Sequence, residues 1–133
     1  MAIDNDQNLL MVEDDNVPYN IRHRAYYLAK NTIQFISNAR FDRIYFSLFE
    51  QLIRSSSSIG ANLVEGYAGS SLKDFTKFNI IALKSANETK YWFCLIRDTI
   101  QDIDRSQIQT LITETDEISK IIASIVLKSK KVF

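Results

Sequence analysis

From Pro18 to Lys128, apolar residues recur at alternating spacings of three and four, in four runs separated by joints of only a few residues. That rhythm belongs to helices with one buried stripe, and it leaves few folds open. The first stripe is Ile21, Ala25, Leu28, Thr32 and Phe35, and the second is Tyr45, Phe49, Leu52, Ser56, Ile59, Leu63 and Gly66. The third is Phe75, Phe78, Ala82, Ser85, Thr89, Trp92, Ile96 and Thr99; the fourth is Ile108, Leu111, Thr115, Ile118, Ile122 and Ile125. Although the fourth is rich in β-branched residues, its spacing over several turns decides for helix.

The residues between the runs read as starts and stops. Pro18 suits a first helical turn, where its missing N–H costs nothing. Asp42 is placed to cap a second helix from about Arg43 to Tyr67 through its side-chain oxygen. Gly69-Ser70-Ser71 ends that helix, with glycine free to take a left-handed conformation. Ser71 and Asp74 then form a capping box for a third helix from Leu72 to about Ile100, and Asp104 with Gln107 a capping pair for the fourth. Helices of roughly 20 to 29 residues are about 30 to 43 Å long, and such short joints force neighbours to run antiparallel. The expected fold is all-α, an antiparallel up-down-up-down four-helix bundle over 18–128, with an acidic, loosely held arm at 1–17 and a basic end at 129–133.

A chain of 133 residues can bury a core without metal or disulfide staples. Cys94 is the only cysteine, which excludes an internal disulfide and reads as a buried thiol. With no apolar run near the ~18 residues of a membrane span and no leader pattern, the expected setting is the cytoplasm without a membrane partner. The net charge is zero, but residues 1 to 20 contain Asp4, Asp6, Glu13, Asp14 and Asp15 and no Lys or Arg. The rest of the chain is therefore mildly basic, which permits polyanion binding without requiring it.

Apolar residues also stand off the main stripes. Tyr26, Tyr27, Phe46, Tyr91 and Phe93 lead this second set, joined by Ile53, Val64, Ile81 and Ile112. Exposed aromatics of this kind mark interfaces, so a homo-oligomer is expected, with those five aromatics as its candidate interface.

Chemistry is harder to find. A di-iron bundle needs two Glu-x-x-His motifs, whereas the only histidine, His23, has no Glu three residues before it and reads as a surface residue. The Ser55–Ser58 run has no base at a suitable spacing, and Gly66 and Gly69 lack the following Lys-Ser/Thr of a phosphate loop. No enzyme activity, metal or cofactor is expected. Asn62, Glu65, Gly66, Ser85 and Glu88 form a candidate structural polar motif, either as small helix-packing residues with exposed acids or as a buried network that sets helix register. Arg22, Arg24, Arg40, Arg43, Arg54, Lys73 and Lys77 are candidate nucleic-acid contacts, against the simpler reading of solvated helix surface.

Three segments carry a resemblance: Ser57-Ser-Ile-Gly-Ala-Asn-Leu-Val-Glu-Gly66, Lys73-Asp-Phe75 and Ala82-Leu-Lys-Ser-Ala-Asn-Glu-Thr-Lys-Tyr-Trp92. In order and spacing they resemble the bacterial four-helix bundle family named after open reading frames in 23S ribosomal RNA intervening sequences. The resemblance implies a ring-like homo-oligomer, typically a pentamer, without enzyme activity. It extends to the accessory variability determinants of diversity-generating retroelements, which contact a reverse transcriptase and nucleic acid. The expected function is thus a non-enzymatic accessory module binding RNA or DNA, or a reverse transcriptase. The alternative is a protein–protein scaffold without nucleic-acid contact.

Overall fold

The computed structural model describes residues 20–131. The expected arm at 1–17, and Pro18 with it, lie outside the described residues. Four helices follow in order: α1 (Ile21–Asn38), α2 (Phe46–Ala68), α3 (Leu72–Thr99) and α4 (Arg105–Lys130). Each packs on the next and α4 closes back on α1, so the helices form an up-down-up-down bundle. The contact between α2 and α3 is the most extensive and that between α1 and α4 the least.

Several boundaries have a different physical cause from the one the sequence suggests. The cap of α1 is Asn20, whose side chain accepts the His23 amide at 3.0 Å. Asp42 caps nothing with its side chain. It precedes a single 3₁₀ turn, Arg43–Tyr45, which feeds directly into α2. Gly69 ends α2 in an extended conformation (φ −66°, ψ 156°), not a left-handed one. What favours glycine there is proximity: a Cβ would lie 3.2 Å from the Gly66 carbonyl oxygen and 3.3 Å from the Asp74 Cβ. The other two caps form as the sequence suggests, Ser71 accepting the Asp74 amide and Asp104 that of Gln107. Helix α4 continues to Lys130, past the expected boundary at Lys128, and Ser129 is buried inside it.

The stripes of α1 and α2 fall where their spacing puts them, and Leu28, Phe35, Leu52 and Ile59 are among the largest fully buried side chains. In α3 the buried face is Thr76, Asn79, Ala82, Ala86, Thr89, Phe93 and Ile96. It is rotated away from Phe75, Phe78 and Trp92, which are only partly buried. At the level of Gly66 the tight contact with α2 favours Asn79 and Ala82 on the inner face over the rings of Phe75 and Phe78. Thr32, Thr89 and Thr115 are fully buried, and each hydroxyl donates to the carbonyl four residues earlier, so none of the three is stranded. In the α3–α4 joint, Ile100 and Ile103 tuck under the bundle.

Gly60 faces α1, where an added Cβ would make ordinary contacts of 3.5 Å to the Ala25 Cβ and 3.7 Å to its backbone. Gly60→Ala should therefore gain about 0.5–1 kcal/mol through helix propensity. A higher urea midpoint at unchanged slope would report it.

Candidate functional site

The polar motif lies along the seam between α2 and α3. Its centre is Ser58, which the sequence reading did not single out. The Ser85 hydroxyl donates to the Ser58 hydroxyl at 3.0 Å, and the Asn62 amide donates to the Ser58 hydroxyl at 2.9 Å and its carbonyl at 2.8 Å. Asn62 and Ser85 are thus brought together through a third residue, and the network crosses between helices. Such a bridge fixes register, because sliding one helix by a turn would strand half-buried polar groups. Ser58 was legible only as part of a serine run; what singles it out is the antiparallel register of the two helices.

Glu65 and Glu88 do not join this network. Both are exposed, and Glu88 accepts the Trp92 indole N–H at 3.0 Å. At Gly66 α2 lies tight against α3. A Cβ there would sit 3.1 Å from the Phe78 Cβ, 3.3 Å from the Asn79 amide nitrogen and 3.4 Å from the Phe75 carbonyl oxygen. Asn79 is itself buried, its amide donating to that Phe75 carbonyl at 2.8 Å.

The serine hydroxyls have structural employment. Ser55, Ser56 and Ser57 each donate to the carbonyl three residues earlier. His23 is buried, contrary to its reading as a surface residue, and packs edge-on against the Tyr27 ring at 4.6 Å. Cys94 is a half-buried free thiol. Among the described residues, no three His, Cys, Asp or Glu side chains gather as a metal-ligand set.

The candidate basic residues do not form one surface. Arg22 is buried, its guanidinium carbon 3.5 Å from the centroid of the Tyr67 ring, so it offers no exposed charge. Arg24 grips the Glu114 carboxylate of α4 with both Nε and Nη2, and Nη2 also reaches Glu117 at 3.4 Å. The hydrogen bond to Glu114 raises its pKa and commits it to the α1–α4 contact. Arg40 and Arg43 are exposed at the α1–α2 joint, and Arg54 is exposed along α2. Lys73 and Lys77 are exposed on the first turns of α3, at the opposite end.

That end carries more charge than the sequence reading assigned to binding. Thr76 of α3 and Ser129 of α4 share a buried hydroxyl–hydroxyl bond of 2.9 Å. It sets Lys73 and Lys77 beside the α4 terminus with exposed Lys128, Lys130 and Lys131. Lysines at that position also suit the negative end of the helix dipole. The clue that joins them to Lys73 and Lys77 is the near-equal length of two antiparallel helices.

Of the candidate interface aromatics, Tyr26, Tyr27, Phe46 and Tyr91 are exposed, Tyr91 at 61%. Phe93 is not: it is fully buried in the core of the single chain, which removes it from any interface. The α3 rotation that half-exposes Trp92 turns Phe93 inward. Ile53, from the same off-stripe set, is exposed too, as are Ile33 and Ile44, which the sequence reading did not single out.

Between α3 and α4, Asp116 accepts hydrogen bonds from Lys90 at 2.7 Å and pairs with Lys120 at 3.0 Å. The Lys90 bond first, and then that from Lys120, hold its carboxyl below the usual carboxylate range. A lowered folded-state pKa contributes stability above the unfolded value near ~3.9, and that contribution is lost as pH falls through the folded value. Asp116→Asn should therefore make the fall in thermal midpoint on acidification shallower. Parallel melts between pH 6 and pH 2 would measure it.

No helix among the described residues is long and apolar enough to cross a membrane. Among known proteins, the family model for the 23S rRNA-intervening sequence protein matches residues 19–124. A crystal structure from Bacteroides thetaiotaomicron, of a protein with unknown function from the S23 ribosomal protein family, is similar at 33% identity and a TM-score of 0.71. The similarity covers 80% of this chain and 98% of that one. No curated protein matches. With the family model spanning all of α1, α2 and α3 and most of α4, over the bundle just described, the chain belongs to the 23S rRNA-intervening sequence protein family.

Proposed function

We propose that this protein is a non-enzymatic, homo-oligomeric module, a pentameric ring, that engages RNA or DNA through its lysine-rich end. The observation that carries the reading is the grouping of Lys73, Lys77, Lys128, Lys130 and Lys131 at one end of the bundle, pinned by the Thr76–Ser129 bond. Phosphate contacts are the natural use of clustered, exposed ammonium groups. Arg40, Arg43 and Arg54 lie elsewhere and are secondary in this reading, and Arg22 and Arg24 are committed within the bundle. The resemblance to retroelement accessory proteins extends the partners to a reverse transcriptase. Exposed Tyr26, Phe46, Ile33 and Ile53 on α1 and α2, and Tyr91 on α3, supply two separate apolar faces. A ring needs two such faces, because each copy meets its neighbours head to tail.

Titration of single-stranded RNA and duplex DNA at several salt concentrations tests the binding. Affinity should fall steeply with salt, and Lys73→Glu with Lys77→Glu should weaken it at least about tenfold. Absence of binding at low salt, even with residues 1–17 removed, would refute nucleic-acid engagement. Light scattering tests the assembly, and particles of only 15.4 kDa at micromolar concentration would refute it. The second reading, a protein-binding scaffold, rests on the same exposed aromatics and is favoured if a partner protein is captured without nucleic acid.

A further inference from the structure

Arg22 sets a problem that the described residues do not solve. It is only 7% exposed, and its Nε and Nη2 are buried without a hydrogen-bond partner among the described residues. Burial lowers its pKa, with Tyr67 acting in the opposite direction. A buried charge with unmade hydrogen bonds is costly, and native proteins supply the missing acceptor. The unmet edge is chemically specific. Nε and Nη2 together form the side of the guanidinium that takes a carboxylate with two parallel bonds, and Arg24 presents this same edge to Glu114.

Arg22 also lines an apolar groove of about 480 Å³ between α1 and α2. Ala25, Ala29, Gly60 and Ala61 line it with Tyr26 and Val64. Glu65 borders the groove too, but it is exposed and forms no ion pair with Arg22 among the described residues. An occupant must therefore bring both an apolar run and an adjoining carboxylate.

One segment of this chain has that composition in that order: Leu9-Leu10-Met11-Val12 followed by Glu13-Asp14-Asp15. Asn20, the cap of α1, stands two residues before Arg22. Asn20 is five residue steps from Asp15, a reach of up to about 16 Å at ~3.3 Å per residue. Four apolar residues in extended form span about 13 Å, against about 10 Å of helix between Arg22 and Ala29.

We propose that residues 9–15 fold back into the α1–α2 groove of their own chain, with Leu9–Val12 against its small residues and a carboxylate from Glu13, Asp14 or Asp15 on Nε and Nη2 of Arg22. The arm takes the Arg22 end of this face, including the groove side of Tyr26, and leaves Ile33, Phe46 and Ile53 for a neighbouring copy. It masks the groove and neutralises the arginine in one contact.

Hydrogen exchange on the full-length chain tests this. Amides of residues 9–15 should exchange at least about tenfold more slowly than in an unstructured peptide. Leu10→Asp with Met11→Asp should abolish the protection, and so should Glu13→Gln with Asp14→Asn and Asp15→Asn. Both variants alter only the arm and leave the bundle intact. Ala61→Trp, which fills the groove from an exposed position, should release the arm as well. Unprotected arm amides in the full-length chain would overturn the proposal, as would protection that survives either arm variant or the filled groove. Protection that vanishes on dilution would assign the groove to a neighbour's arm and equally overturn docking within one chain.

Discussion

Phe93→Ala is expected to cost the folded chain about 3–5 kcal/mol, while Tyr91→Ala, two residues away, costs no more than about 0.5 kcal/mol. Phe93 is fully buried, and truncating it removes a large apolar side chain and leaves a cavity that the surrounding helices fill only in part. A loss of that size is a large share of the ~5–15 kcal/mol that holds most domains together. Tyr91 is 61% exposed, and its ring packs edge-on against Trp92 at 5.1 Å, so its removal leaves the core intact. Urea unfolding at low protein concentration separates the two effects. The roles reverse for assembly, where Tyr91→Ala should weaken self-association if α3 supplies one face of the ring. A Phe93→Ala variant with unchanged stability but a smaller particle size would contradict this account of α3.

Gly66→Leu is the second large effect, expected at about 3 kcal/mol. At this position even a methyl carbon lies 3.1 Å from the Phe78 Cβ and 3.4 Å from the Phe75 carbonyl oxygen. Neither is the tip of a flexible side chain, so α3 must move away from α2 to make room. Movement there also strains the Ser58–Ser85 bond farther along the same seam. Gly66→Ala is a milder test, because the gain in helix propensity of about 1 kcal/mol offsets part of the collision. If Gly66→Leu matches the parent in urea midpoint, the two helices are not in the contact described. Gly60→Ala provides the control: it is the same kind of substitution in the same helix, with room for the added carbon.

Part of the candidate site was legible in advance. Ser85 stands out because it puts a hydroxyl on a largely apolar helical stripe, and Asn62 because it flanks another, next to Leu63. Their shared partner Ser58 does not, since four consecutive serines look alike until the facing helix selects one. Glu65 and Glu88 share the spacing of the motif but not its burial. The basic residues fared similarly. Arg22 and Arg24 look like any exposed pair in sequence, yet one stacks on Tyr67 and the other clamps α4. Lys128, Lys130 and Lys131 acquire company only when α4 is laid against α3.

The sequence by itself determined the number of helices, their extents to within a few residues, their antiparallel order and two of their caps. These are local properties, set by side chains three or four positions apart and by the shortness of the joints. The tertiary structure decided the rotation of α3, the burial of Phe93 and which serine bridges the seam. Those outcomes depend on how closely two helices approach, and at Gly66 that distance is set by the absence of a single side chain, which helical spacing alone does not report.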